Sequence, residues 1–342
     1  MTVKPTIRFA TIGLNHFHIY GQTNLLLNAG AELVAYYAAE PDLAERYGQE
    51  YSQAQLAESA AVILEDKSIQ LVISAAIHSE RAGLGIGVMQ HGKDFMSDKP
   101  GFTSLDQLAE VRRVQATTGR IYSIDYSERL ETRASVKAGE LIQAGAIGQV
   151  IQTVGLGPHR ARLHQRPAWF FQRAKYGGIL CDIASHQFDQ YLYFTGSTGA
   201  EIVHAQVANY HHPEHPEFED FGDVVVRSAG STGYIRVDWF TPDGLATWGD
   251  GRLTILGSEG TIELRKYIDI AGRPGTDHLF LVDKQKTQYI DCSGVELPYG
   301  RQLIDDIVNR TESAMRQEHC FLASELALQA QAQAARLGHL HA

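Results

Sequence analysis

Asp182 and His186 lie four residues apart in a stretch, Ile179-Leu180-Cys181-Asp182-Ile183-Ala184-Ser185-His186-Gln187-Phe188-Asp189, that follows two glycines. In a helix this spacing puts a carboxylate and an imidazole on one face. Asp189, seven residues after Asp182, extends it. The other positions are largely apolar: Ile179, Leu180, Ile183, Phe188, Leu192. Polar groups in such surroundings cost free energy to bury unless they are paired or used. A carboxylate that orients an imidazole and favours its charged form is what a general base needs. The same spacing also fits a structural ion pair. Lys99 stands in Asp98-Lys99-Pro100, just after Lys93-Asp94-Phe95-Met96-Ser97, which reads as a short strand. At the end of a strand it points into the crevice where a cofactor would lie; its other reading is a solvated loop lysine.

A third candidate is the segment Ile12-Gly13-Leu14-Asn15-His16-Phe17-His18. A dinucleotide turn uses G-x-G-x-x-G for a tight turn, close approach to the pyrophosphate and close helix packing. Here Gly13 is the first glycine, Asn15 holds the second place and His18 the third. Asn tolerates left-handed dihedrals, and a helix N-terminus still offers N–H groups to an anion. The acid that would hold the adenosine ribose is displaced: Ala38 has its place, and Glu40 stands two residues on, with no Arg beside it. NAD is slightly favoured over NADP on that basis. The candidate cofactor-binding set is Gly13, Leu14, Asn15, His16, Glu40, Ala75, His78 and Lys99. A strand–helix corner with no ligand is the bland alternative.

Substrate contacts are sought just before the Asp182 helix. The block 159–176 carries Arg160, Arg162, Arg166, Arg173 and Lys175 and no acid, in a chain of net charge −10. His159, Arg160 and Trp169 are the candidate substrate-binding residues, for a hydroxyl-rich or anionic ligand and an aromatic face. A solvated or subunit-contacting loop fits equally. His211, His212 and His215 sit among Pro and Glu without helical spacing, and no metal ligand set is assigned.

These residues need a scaffold. Short apolar runs at 6–13, 31–38, 69–76, 93–97 and 120–125 alternate with helical stretches at 19–29, 42–50, 81–91 and 105–117. Such alternation predicts βαβ units and a parallel sheet, with its ligand at the carboxyl ends of the strands. After a helix over 135–145 come short runs at 202–210, 223–228, 233–240, 252–256, 261–266, 278–283 and 287–291, separated by turn residues. They predict an antiparallel sheet. Helical stretches within 303–337 follow. The expected fold is an α/β Rossmann domain with a parallel sheet over 1–125, then an α+β domain with a large open, mostly antiparallel sheet over 126–342.

With 342 residues, 44% hydrophobic and 20% charged, the chain has the composition of a globular protein of about two domains. Its acidic balance, pI ≈ 5.8, argues against a nucleic-acid partner. Three widely spaced Cys suggest a reducing compartment. No apolar run suits a leader or a membrane span, so a cytoplasmic location is expected.

Taken together these segments resemble the Gfo/Idh/MocA family of oxidoreductases, over nearly the whole chain. "GKDFMSDKP" is similar to the family's "GKHVxxEKP", "YGGILCDIASHQFD" to its "GGxLxDxGxHxxD", and "GSEGTIEL" is a matching late hairpin. The resemblance implies hydride transfer between NAD or NADP and a carbinol or carbonyl of a sugar, inositol or related polyol. It places Lys99, Asp182 and His186 on catalytic positions, with the substrate hydroxyl between Lys99 and His186. Departures are Asn15, His18, Ala38 and Asp98, with Ile77 and Arg81 where the family often has Pro and His. Two other readings stay open: a non-catalytic cofactor-binding regulator of the same fold, and a metal-dependent lyase or isomerase using Asp182, His186 and a further His. A homodimer or homotetramer is expected through the open sheet face, taken to carry Val224, Val226, Ile235, Val237, Trp239, Ile255 and Leu264.

Overall fold

In the computed structural model, which describes residues 6–338, contacts divide the chain into two units. One is Met1–Asp125 with Pro298–Phe321, the other Tyr126–Leu297 with Leu322–Ala342. Residues 1–5, part of the leader reading, lie outside the described residues.

The chain begins β1 (Arg8–Ile12), α1 (His18–Asn28), β2 (Glu32–Tyr37), α2 (Pro41–Glu50), β3 (Gln55–Leu56), α3 (Ala60–Glu65), β4 (Leu71–Ser74), α4 (Arg81–Gln90), β5 (Asp94–Asp98), α5 (Leu105–Thr118) and β6 (Tyr122–Asp125). It continues α6 (Ser127–Leu130), α7 (Arg133–Gln143), β7 (Val150–Pro158), α8 (Arg173–Tyr176), α9 (Ile179–Asp182), α10 (Ala184–Thr195), β8 (Glu201–Ala208), β9 (Phe221–Arg227) and β10 (Thr232–Asp238). It ends β11 (Arg252–Gly257), β12 (Thr261–Arg265), β13 (His278–Val282), β14 (Thr287–Asp291), α11 (Tyr299–Asn309), α12 (Gln317–Gln333) and β15 (Ala335–Leu337).

The first unit is a six-stranded sheet in the order β3-β2-β1-β4-β5-β6, with every pair parallel. β4 and β5 are buried throughout, as strands covered on both faces must be. The order reverses between β1 and β4, which makes their carboxyl ends the ligand crevice of such a sheet. The sequence reading gave 298–321 to the second domain; these residues belong to the first unit. The Tyr299 hydroxyl bonds the Ser123 hydroxyl at 2.7 Å, and Arg310 pairs with Asp94 at 2.7 Å. Both partners sit on the sheet, so α11 covers it despite its distance in sequence.

The second unit is a nine-stranded open sheet, β14-β13-β12-β11-β7-β10-β9-β8-β15. Two of its pairs, β10–β7 and β15–β8, are parallel, and the others are antiparallel. β7 went unread in the sequence because Gly155 and Gly157 break its apolar run. Those glycines leave room for Gln187: a Cβ at Gly155 would stand 2.5 Å from its Oε1. β15, three residues at the sheet edge, carries no periodicity to read.

Register corrects the expected subunit interface. Val224 pairs with Ile235, Ile235 with Gly155, Gly155 with Leu253, and Leu253 with Leu264. This row, with Val226, Val237 and Ile255, is 0–1% exposed, and Trp239 is 5% exposed. The apolar set named for the open face is therefore core, held against the helices. The opposite row runs Val225, Tyr234, Val154, Thr254, Glu263, Phe280, Tyr289, a mixed surface. Period two allows two registers, and apolar residues alone do not tell which faces the helices.

Candidate functional site

In the first unit the β1–α1 turn is built on Gly13. Its φ is +81°, and an added Cβ would lie 2.6 Å from the Cβ of Ala76. Dihedral and space both require glycine there. The turn is tied to its neighbours by backbone bonds from Gly13 N to Tyr37 O at 3.0 Å and from His16 N to Ala75 O at 2.9 Å. Leu14 and Ala75 are buried beneath it. Asn15 Nδ2 donates to Glu40 Oε1 at 2.7 Å. The displaced acid is thus brought to the turn by the residue that replaces the second glycine.

The third glycine's replacement is compensated at the end of β5. His18 Nδ1 lies 2.9 Å from Asp98 Oδ1, and His16 Nδ1 lies 3.3 Å from Asp98 Oδ2. Arg81, wholly buried, places Nη2 3.0 Å from the same oxygen. Its Nη1 donates to the carbonyls of Asp98, Lys99 and Pro100 at 3.0, 2.6 and 3.1 Å, and its Nε to Ala76 O at 2.7 Å. Arg81, noted in the sequence only as a departure, therefore fixes the strand end that carries Lys99. The Lys99–Pro100 peptide is cis, and Lys99 is buried rather than a solvated loop lysine. Burial, then the neighbouring His18, lowers His16 well below the usual imidazole range. Burial would raise Asp98, but His18 and Arg81 hold it well below the carboxylate range. His78 is buried, its ring 6.2 Å from that of His16.

Ligand-type atoms of His16, His18 and Asp98 fall within 4.8 Å of one another. Arg81 already supplies a fixed cation to this carboxylate, so the cluster reads as an ion-pair network. Among the described residues no other group of His, Cys, Asp and Glu gathers so closely; Asp182, His186 and the 211–215 histidines form none.

In the second unit Gly177 and Gly178 turn the chain at φ +89° and +97°. The segment that follows starts on side-chain acceptors: Ile179 N donates to Glu219 at 2.9 Å and Leu180 N to Gln331 at 2.9 Å. The single helix expected here is interrupted at Ile183 between α9 and α10. Asp182 and His186 are each 2% exposed. The Tyr126 ring stands 6.3 Å from the imidazole, edge to face. Asp189 does not extend this pair: its carboxylate is held by Arg129 at 2.6 and 2.7 Å, and Arg129 lies over the Tyr193 ring. Burial pushes the Cys181 thiol up to about 12, so it is inert.

The basic block is largely consumed by structure. Arg160 donates to the carbonyls of Pro242 and Leu245 at 2.8 and 2.6 Å, which fastens a loop instead of presenting a charge. Arg166 stacks over Phe170 and Trp239, and Arg173 approaches Glu219 at 3.4 Å. Trp169 is buried, edge-on to Phe170. His159 remains partly accessible, its ring 4.5 Å from that of Trp248. Sequence reasoning missed Glu128, Gln187, Gln190 and Lys266, whose buried network lies beside His186. None has a motif; only their burial together gives them away.

The GFO/IDH/MocA C-terminal domain model matches residues 135–263. A solved structure from Erwinia carotovora atroseptica SCRI1043, named only as a candidate oxidoreductase, is 47% identical, covers 97% of this chain and 99% of that one, and superposes with a TM-score of 0.94. A levoglucosan dehydrogenase solved with NADH and levoglucosan is 18% identical over 96% of each chain, TM-score 0.78. A 3-ketoreductase from Actinomadura kijaniata solved with NADP is 14% identical over 98% of this chain and 99% of that one, TM-score 0.79. The D-xylose dehydrogenase of Paenarthrobacter nicotinovorans is 22% identical over 129 residues, 36% of this chain and 33% of that protein's length. No described helix is long and apolar enough to cross a membrane.

Proposed function

The chain belongs to the GFO/IDH/MocA family, and on that premise we propose that it is an NAD(P)-dependent oxidoreductase acting on a CH–OH or carbonyl group of a sugar, inositol or related polyol. The observation that carries this reading is the β1–α1 turn. Gly13 turns the chain at φ +81° with its backbone packed so closely on Ala76 that no Cβ fits, at the switch point of a β3-β2-β1-β4-β5-β6 sheet, with Glu40 drawn up by Asn15. These features fit a dinucleotide held by the turn, its ribose hydroxyls on Glu40. NAD(P), when bound, supplies the hydride acceptor or donor.

The residues of the chain then have the following roles. Lys99 donates a hydrogen bond to the substrate oxygen and stabilises negative charge there as the carbonyl forms. His186 takes the hydroxyl proton in oxidation and returns it in reduction. Asp182 orients the imidazole and favours its charged form. His159 is the remaining candidate for a substrate contact. The metal-dependent alternative has no ligand set at Asp182 and His186 among the described residues. In the assembly we expect, two copies meet through the row of Val225, Tyr234, Val154 and Phe280 and close by two-fold symmetry. A monomer by light scattering at micromolar concentration overturns that expectation.

The direct test incubates the protein with NAD and NADP against a panel of sugars, glycosides and inositols, following nicotinamide absorbance. Cofactor reduction by at least one CH–OH donor supports the reading. No reduction by any donor, together with no quenching of Trp fluorescence by NADH, overturns it. Quenching without turnover on an extended panel favours the non-catalytic regulator.

A further inference from the structure

Beside His186 the second unit buries a charge pair that the proposed reaction does not use. Lys266, just past β12, has a side chain with no exposure, and Glu128 in α6 is 3% exposed at its side chain. Lys266 Nζ donates to Glu128 Oε2 at 2.8 Å and to Gln190 Oε1 at 2.6 Å. Gln190 Nε2 in turn donates to the backbone carbonyl of His186 at 2.9 Å. Gln187, the next residue after His186, donates from Nε2 to Glu128 Oε2 at 2.8 Å. The network therefore grips the turn of α10 that carries the imidazole, at its own carbonyl and at its neighbour. Gly155 and Gly157 vacate the sheet surface under Gln187 so that it can lie there.

A buried ion pair is a poor way to gain stability, because two apolar side chains of similar volume often do as well or better. This one is also incompletely satisfied: Glu128 Oε1 is buried and has no hydrogen-bond partner among the described residues. One carboxylate oxygen takes two donors while the other keeps its field unspent. We propose that Lys266 and Glu128 are positioning residues for His186, holding its turn of helix and balancing the charge beside its imidazole.

The electrostatics agree with the geometry. Burial pushes Glu128 up, yet Lys266 and then His186 and His159 outweigh it and hold the carboxyl well below its ordinary range. Coupling of this kind is mutual: if a charged His186 stabilises the carboxylate, the carboxylate stabilises the imidazolium, and Lys266 opposes it. The Tyr126 ring stands edge to face with the imidazole; the other charged groups of this region are Asp182 on its own segment, Asp189 neutralised by Arg129 one turn on, His159, whose charge acts on Glu128, and Arg166, whose charge reaches Asp182. Tyr267, buried near Glu128, stays neutral. Glu128 and Lys266 thus add charges of both signs whose separate removal must move His186 in opposite directions.

The part that makes His186 the catalytic base rests on the function proposed above; the titration of His186 does not. In full-length protein labelled with ¹³C-histidine, the His186 resonance is identified by its loss in H186N and titrated in wild type, E128Q and K266M. The expected order of His186 pKa values is K266M above wild type above E128Q, with steps of about one pH unit. In E128Q/K266M the value returns toward wild type. Equal values in the two single variants, or the reverse order, overturn the proposal. E128Q is nearly isosteric and carries the test alone if K266M does not fold: an unchanged or raised His186 value in it overturns the coupling. The acid limb of the turnover profile should move with the resonance. A resonance that moves while the limb stays refutes His186 as the base and leaves the coupling standing.

Discussion

The β1–α1 turn gathers two histidines on Asp98, and the α9–α10 segment carries Asp182 and His186, both buried; the two regions are supported by different means. At the turn, motif glycines are replaced by Asn15 and His18, and the replacements are tied to groups at the strand ends: Asn15 to Glu40, His18 to Asp98, Asp98 to Arg81. In the α9–α10 segment the Asp182 and His186 pattern is intact, and its support comes from distant stretches: Glu128, Lys266, Glu219 and Gln331. The first region has altered a motif and tied the replacements into an ion-pair network on Asp98. The second has kept a motif and built a buried polar frame around it. If that contrast is right, variants in the first region should show chiefly in stability and cofactor affinity, and variants at the centre of the second in turnover.

The sharpest break would come at His186. H186A should lower kcat by about 10²- to 10⁴-fold, the usual contribution of a positioned acid or base, while NADH affinity by fluorescence changes little. Turnover near wild type in H186A would remove the functional half of the comparison.

Arg81 should give the next largest effect, read first in folding stability. R81M leaves Asp98 buried without its guanidinium and frees carbonyls at Ala76, Asp98, Lys99 and Pro100. Breaking a buried pair from one side costs about 3–5 kcal/mol, which denaturant titration will read. A loss below about 1 kcal/mol would mean that the strand end is held by something else.

These two residues show what a sequence does and does not disclose. The alternation of strands and helices and the Gly13 turn are local patterns, legible in order along the chain; Lys99 and the Asp182 and His186 spacing are local patterns too, and their roles stand as proposals. Arg81 was visible only as a mismatch, because its value lies in carbonyls at 76 and 98–100 that fold around it. Lys266 and Glu128 sit 138 residues apart, and nothing in either neighbourhood announces the other. The Arg160 and Trp169 readings show a related ambiguity. A basic block in an acidic chain suggests a ligand, but cations bonded to carbonyls and stacked on rings have the same composition. β7 was hidden by the glycines that admit Gln187.

Acid should separate the regions a third time. His16 is buried neutral, with its folded value below that of the unfolded chain. The unfolded state then binds the extra proton as pH falls below about 6.5, so the stability His16 provides above that pH is lost, at up to about 1.4 kcal/mol per pH unit. Glu128 is also depressed, but its contribution is present above about 4.5 and is lost only below it. Between pH 7 and 5, hydrogen exchange should accelerate in α1 while α10 keeps its protection, and H16Q should flatten the α1 response. Equal acceleration in both helices would erase the distinction.

The smallest effect concerns the ribose. Glu40 is oriented by Asn15 and has no basic neighbour in sequence, so its carboxylate suits two free hydroxyls and opposes a 2′-phosphate. The acid sits two residues beyond its usual place, and Ala38 and Ala39 leave that place without a charge, so the discrimination should be modest, NAD over NADP by about tenfold or about 1.4 kcal/mol. E40Q keeps the shape and the Asn15 contact while removing the charge, and should bring the two affinities within about threefold. N15A keeps the charge but frees the carboxylate to turn away, and should narrow the ratio through weaker NAD binding. Measured by fluorescence titration with NADH and NADPH, a strong preference for NADPH in the wild type would show that the ribose lies elsewhere than Glu40. The Asn15 contact would then be only a brace for the turn.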